Sequence, residues 1–334
     1  MNMKLGIHTA FLSQFEFGEG LCFAKELGAE SVEITTVGSA MRTYCDLDQL
    51  LSNKKKLDHW QQALKHNALR VSALAVHGEP LSPNKEVSLE YTNRFKKACR
   101  LAEATGINCL TTNAGLPEGE PDGTAPVWVI DTTKPFNRSI LDWQWDKRVF
   151  PFWKEHAKIA QDHGCSIAIE PWIGEIVYSP ITLMQLRDEV GPTIGCNFDP
   201  SHLMAQRIDL PEAVRYLGDA ILHVHIKDCR TDQKNQRLKG LFDMTPLDAP
   251  ERRSWMWTLI GWGHDELFWR EFLTALQLVR YDGTLSIEME CDYIQNIEGL
   301  KKSVEFLKPM LLSGAPLDGE RWWQLAGFHN LVED

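Results

Sequence analysis

Short apolar runs alternate with longer stretches whose apolar residues recur every three or four positions, and the alternation persists along almost the whole chain. The joins repeat. "KELGAESVEIT", "KHNALRVSALAV", "EATGINCLTT" and "DHGCSIAIE" each pass from a polar, helix-periodic segment through Gly28, Asn67, Gly106 or Gly164 into an apolar run. Gly and Asn tolerate the left-handed conformation that closes a helix, so each join predicts a helix end followed by a strand. The helical stripes are explicit: Phe95, Cys99 and Ala102; Trp153, Ala157 and Ala160; Leu300, Val304, Leu307 and Leu311. Pro309 falls inside the last stripe and is expected to bend or shorten that helix.

Eight strands are predicted, at about 4–9, 30–36, 70–77, 107–113, 165–171, 193–199, 221–227 and 283–290. Their near-continuous apolar character suits parallel strands covered on both faces. Strands alternating with helices eight times predict an α/β fold, a (β/α)8 TIM barrel, because right-handed crossovers then close the sheet on itself. An open doubly wound sheet is the rival, and no GxGxxG follows a strand to support it. Two connections, 114–146 after strand 4 and 229–263 after strand 7, are too long to be turns and are expected to wall or cover a site. The barrel is expected over residues 1–312, followed by an extension at 313–334 that carries Trp322 and Trp323.

Composition narrows the function. Of the 334 residues, 43% are hydrophobic and 24% charged, a balance that supports a large buried core. Asp and Glu (46) outnumber Lys and Arg (35), and the net charge of −11 disfavours nucleic acid as a partner. The N-terminus lacks the apolar core of a signal peptide, and no apolar run suffices for a membrane helix, so a cytoplasmic protein is expected. The eight cysteines form no CxxC pair and read as reduced packing residues.

The C-terminal ends of the predicted strands collect polar residues: Glu170 in "IAIEPW", Asp199 and His202 in "CNFDPSH", His223, His225, Lys227 and Asp228 in "HVHIKD", and Glu288 and Glu290 in "LSIEMEC". Singly, each has an ordinary explanation as a helix cap, a core histidine or a paired charge. A barrel, however, brings consecutive strand ends into one ring. Two Glu, one Asp and one His there repel one another unless a cation sits among them. Such donors suit Mn²⁺ or Mg²⁺ first and Zn²⁺ or Co²⁺ next.

In order and spacing, "IEPW", "FDPSH", "HIKD" and "SIEME" resemble the xylose-isomerase-like barrel superfamily of sugar phosphate isomerases and epimerases, inosose dehydratase, endonuclease IV and C-glycoside-cleaving relatives. The resemblance spans residues 4–312. Its ketose 3-epimerase pattern implies that Glu170, Asp199, His225 and Glu288 bind one divalent ion, Mn²⁺ foremost, and that His202 touches substrate. It implies further that Glu170 and Glu288 exchange a proton with the carbon beside a carbonyl, by way of an enediolate. A lyase or dehydratase acting on a keto-sugar or 3-oxo-glycoside is the implied alternative, and the long insertions suit its larger substrate. Lys227 and Arg230 are expected to hold the sugar, and His8, His77 and Asn113, at the ends of strands 1, 3 and 4, to line the pocket. Trp255 and Trp257 are candidates for stacking on a sugar, with loop packing the commoner fate of such residues. The expected partners are a small carbohydrate and either further copies of the chain or a second subunit.

Overall fold

The computed structural model describes residues 3–36, 44–243, 245–291 and 293–312; the predicted extension, with Trp322 and Trp323, lies outside them. Eight parallel strands close into a barrel: β1 (Lys4–His8), β2 (Ser31–Thr35), β3 (Arg70–Ala75), β4 (Cys109–Asn113), β5 (Ser166–Glu170), β6 (Ile194–Phe198), β7 (Ile221–Ile226) and β10 (Thr284–Ile287). Each strand pairs with its neighbours in sequence order, and β10 closes the ring onto β1 through Lys4–Thr284 and Ile7–Ile287. This is a TIM barrel. All eight predicted strands are present, though several end earlier than their apolar pattern. His77, Asp199, Lys227, Glu288 and Glu290 all lie just past the last laddered residue of a strand, on the face where barrel loops meet.

Helix ends explain three of the four repeated joins as expected: Gly28, Gly106 and Gly164 have φ of +95°, +75° and +70°. The join at Asn67 is different. Asn67 itself has φ −85°, the left-handed residue is Ala68 at +50°, and the Asn67 amide donates back to the Ala63 carbonyl at 2.9 Å. Asn67 thus caps with its side chain as well as its backbone N–H, without itself turning left-handed. Pro309 behaves as anticipated, since the last helix stops at Leu307 and a single 3-10 turn, Lys308–Met310, follows.

Large residues such as Trp153, Trp269, Tyr91, Phe95 and Phe272 are fully buried in the shell of helices around the barrel. Inside it, small residues from several strands meet: Ala73, Cys109 and Ala168 pack together with Leu222 against them. No helix among the described residues is long and apolar enough to cross a membrane.

Both long insertions are ordered by their own hydrogen bonds. In the first, the Gln144 amide donates to the carbonyls of Pro117, Glu118 and Val127 at 3.2, 3.1 and 2.8 Å, and Arg148 pairs with Glu118 at 2.7 Å. In the second, β8 (Asp228–Thr231) runs antiparallel to β9 (Trp255–Thr258). Buried Asp228 pins this hairpin to the barrel, because its Oδ2 accepts from the N–H groups of Gly261, Gly263 and His264, each at 3.0 Å. The insertions meet where Trp128 packs on Tyr178 and Phe242, with ring centroids 5.9 and 6.1 Å apart.

β6 and β7 approach too closely for a side chain at Gly195: a Cβ there would stand 2.5 Å from the Ala220 carbonyl. Gly195→Ala is therefore expected to cost roughly 1–3 kcal/mol of stability, measured by denaturant unfolding, and to shift the strand that carries Asp199.

Candidate functional site

At the C-terminal mouth of the barrel, donor atoms of Glu170, Asp199, His225 and Glu288 all lie within 4.8 Å of one another. β5 ends at Glu170, Asp199 follows the last residue of β6, His225 is on β7 and Glu288 follows β10. Asp199 also caps the next helix, its Oδ1 accepting from Ser201 N–H at 2.8 Å, which leaves Oδ2 turned inward. The ordinary reading of this aspartate as a cap is met by Oδ1, and Oδ2 remains available for the chemical one.

His225 is the hub. Its Nδ1 stands 3.1 Å from Glu170 Oε2 and 3.4 Å from Glu288 Oε2, while its Nε2 donates to Glu33 Oε2 at 2.9 Å. Three carboxylates and one imidazole, buried and converging, are the donor set of a divalent-ion site, and these residues fit one. Lys227, itself 1% exposed, supplies part of the compensating charge: its Nζ is 2.9 Å from Asp199, 2.6 Å from Glu288 and 2.9 Å from Glu290. It also lies 5.1 Å from the centre of the Trp257 ring, a cation–π contact.

Burial alone would discourage ionisation of the carboxylates. The charges on His225 and Lys227 outweigh it, so Glu288 is held well below the usual carboxylate range. Glu170 is also held well below, by His225 together with hydrogen bonds from His202, His225 and His77. Burial likewise opposes charge on His225, but Glu33, Glu288 and Glu170 raise its pKa well above the ordinary value.

Above this centre opens a cavity of about 630 Å³, lined by His8, His77, Asn113, Trp172, Glu288 and Glu290 among others. His77 Nε2 reaches Glu170 at 3.2 Å. His8 Nδ1 accepts from Ala10 N–H at 3.3 Å, so its proton rides on Nε2, which is buried without a partner. Burial lowers its pKa and keeps it neutral. Asn113 is engaged at both ends, accepting from Gly78 N–H at 3.0 Å and donating to Glu175.

Of the expected substrate contacts, Lys227, His202 and Arg230 do not line this cavity. His202 is fully buried, with Nε2 3.1 Å from Glu170 Oε1 and 3.4 Å from Asp199 Oδ2; it braces these two carboxylates from behind, its ring tilted against Trp172 with centroids 4.7 Å apart. Arg230 is exposed on β8 and lines a separate recess with Arg207, Arg237 and His264. Residues alternate sides along a strand, so with Cys229 buried the next side chain turns away from the mouth. Of the tryptophans, Trp255 is a loop-packing residue bonded to the Leu241 carbonyl at 3.0 Å, whereas Trp257 packs edge-on to His202 and Trp172, at 5.5 and 6.0 Å.

The structure adds residues that the strand-end reading passed over. Glu33, in "SVEIT", and Asn197, in "GCNFD", are completely buried in the strands below the ligands. The signal was there: a charged or amide residue inside a short apolar strand has to face something polar. Asn197 donates to Glu170 Oε2 at 2.9 Å and its carbonyl oxygen meets His223 Nδ1 at 3.0 Å. Glu175, in the loop after β5, had no periodic signal, yet its carboxyl lines the cavity and accepts from Asn113 and from Gly115 N–H at 2.8 Å.

The Xylose isomerase-like TIM barrel family model matches residues 21–310. The chain belongs to that family. It is 36% identical over 309 residues, 92% of this chain and 98% of the relative, to the uncharacterized protein YfiH of Bacillus subtilis (strain 168). Three solved structures share the fold at low identity. The probable 3-DHS dehydratase AsbF from Bacillus anthracis superposes with TM-score 0.64 at 15% identity, covering 92% of this chain and 99% of that one. The IolI protein with a bound zinc atom gives 0.64 at 16%, covering 92% and 98%. The 3-keto-D-glucoside 4-epimerase YcjR from E. coli gives 0.63 at 15%, covering 92% and 99%. The solved structures that share this fold thus include a sugar epimerase and a probable dehydratase.

Burial pushes Glu175 up to about 8 despite its hydrogen bonds. A carboxyl whose folded pKa is raised loses stability as pH climbs from its unfolded value, near 4.5, through the folded one. Glu175→Gln is therefore expected to raise the melting temperature by a few degrees at pH 8 and to leave it unchanged below pH 4, followed by calorimetry across that range.

Proposed function

We propose that the protein is a divalent-metal-dependent sugar isomerase or epimerase that exchanges a proton at the carbon next to a carbonyl. The observation that carries this reading is the placement of two ionised carboxylates, Glu170 and Glu288, around one centre with Asp199 and His225. A bound divalent ion, Mn²⁺ first and Mg²⁺, Co²⁺ or Zn²⁺ after it, supplies positive charge against the oxygens of the substrate and so makes the neighbouring C–H acidic. The chain does the rest. Glu288 faces the cavity and stays deprotonated beside Lys227, the form a general base requires. Glu170, in contact with His77 and His202, is the partner through which a proton returns. His8 offers its free Nε2–H to a substrate hydroxyl, and Trp172 offers an apolar face.

Among the described residues the cavity wall carries Glu79, Glu175, Glu288 and Glu290 and no Lys or Arg, which favours an uncharged carbohydrate over a sugar phosphate or a uronate. Its volume accommodates a sugar that bears a second group. One observation favours a second reading, a lyase on a keto-sugar or 3-oxo-glycoside. Glu175 is protonated at neutral pH on the cavity wall, as the acid that assists a departing group must be.

Metal-loaded protein incubated in D₂O with ketoses and 3-oxo-glycosides separates the two. Deuterium beside the carbonyl with inverted configuration is the expected result for the epimerase; a released aglycone or an unsaturated sugar marks the lyase. Glu288→Gln should lower kcat about 10²–10⁴-fold in either case. No exchange with any substrate, together with unchanged behaviour of that variant, overturns both.

A further inference from the structure

Directly beneath the ligand set lies a second cluster, Glu33, His223 and His225, which shares His225 with that set and adds two residues the proposed reaction does not use; all three are completely or almost completely buried. Its composition alone would suit a second ion. Its hydrogen bonds say otherwise. Glu33 Oε1 accepts from the Thr111 hydroxyl at 2.5 Å, and Oε2 accepts from the Ser286 hydroxyl at 2.8 Å and from His225 Nε2 at 2.9 Å. His223 is occupied as well, with Nδ1 3.0 Å from Asn197 Oδ1 and Nε2 3.2 Å from the Ser72 hydroxyl. With three of its roughly four acceptor sites taken by protein donors, Glu33 has little left to offer a second ion.

What the arrangement does is choose between the two nitrogens of His225. An imidazole can ligate an ion only through a nitrogen that carries no proton, and the hydrogen bond at the other nitrogen decides which that is. Glu33 is an acceptor and nothing else, so it holds the proton on Nε2. Nδ1 is then the nitrogen presented to Glu170 and Glu288. Thr111 and Ser286, on β4 and β10, fix the Glu33 carboxylate from either side, so that the ring is oriented by three strands besides its own.

We propose that Glu33 is a positioning residue for the divalent ion: it locks His225 in the tautomer and orientation that direct Nδ1 into the Glu170, Asp199 and Glu288 cluster. The inference rests on the reading of that cluster as a metal site. It assigns Glu33 no contact with ion or substrate.

Binding of Co²⁺ to the full chain tests it, through chelator competition and the visible absorption of the bound ion, with a thermal melt of each metal-free variant alongside. Glu33→Leu removes the acceptor and should weaken Co²⁺ binding about 10–100-fold with an altered spectrum. Glu33→Gln keeps an acceptor oxygen without the charge, so its affinity should fall between that of the Leu variant and wild type. Thr111→Val leaves the Glu33–His225 bond in place but frees one side of the carboxylate, so it should weaken binding less than Glu33→Gln does, even where its melting temperature drops further. A purely structural Glu33 would instead make affinity follow the melting temperatures of all three. If Glu33→Leu does not fold, the contrast between Glu33→Gln and Thr111→Val decides. Wild-type binding with unchanged affinity in Glu33→Gln and Glu33→Leu overturns this proposal alone. A wild-type protein that binds no divalent ion overturns the metal reading and this proposal together.

Discussion

The mouth of this barrel is organised by like-charge repulsion. Closure turns the ends of β5, β6 and β10 toward one axis, and the residues there are Glu170, Asp199, Glu288 and Glu290. Carboxylates gathered this closely are stable only with cations among them. Most of the nearby polar detail follows from that constraint: Lys227 is drawn in against three of them, His225 is set between Glu33, Glu170 and Glu288, and His202 bridges Glu170 to Asp199. The same imbalance gives a divalent ion its reason to bind there.

Around this centre the insertions and the barrel divide the work. The barrel supplies charged groups on short, rigid strand ends, where displacement is small. The insertions supply aromatic surface: Trp257 from the β8–β9 hairpin covers Lys227 and His202, and Trp128 joins the first insertion to Phe242 of the second. Asp228 matters here through the backbone alone, since its three N–H partners fix the hairpin that carries Trp257. Its carboxylate is saturated by those donors and by His264, and so it stays out of the ligand set although Lys227 is its neighbour in sequence.

The eight strands were legible because parallel strands covered on both faces read as apolar runs, and three of the four helix stops because glycine advertises a positive φ. Asn67 misled because an amide side chain can cap a helix without its backbone turning left-handed. The convergence of Glu170, Asp199, His225 and Glu288 was legible from strand order alone. Arg230 was not placed, because the chain past β7 enters a hairpin whose sidedness depends on pairing with Trp255–Thr258. Glu33 was missed for the opposite reason. It sits on a strand whose position was anticipated, but attention to strand ends overlooked a charge within the strand, two residues before its end. Glu175 lies in an aperiodic loop, and only the fold brings it opposite Asn113.

Lys227 also bears on how the molecule comes to exist. Small metal-bound domains commonly stay unfolded until their ion arrives, because nothing else offsets the charge of their ligands. Here an ammonium carried by the chain already stands against Asp199, Glu288 and Glu290, and an extensive apolar core surrounds the barrel. The closed barrel thereby carries a counterion of its own for these three carboxylates, independent of any ion that the site would take up.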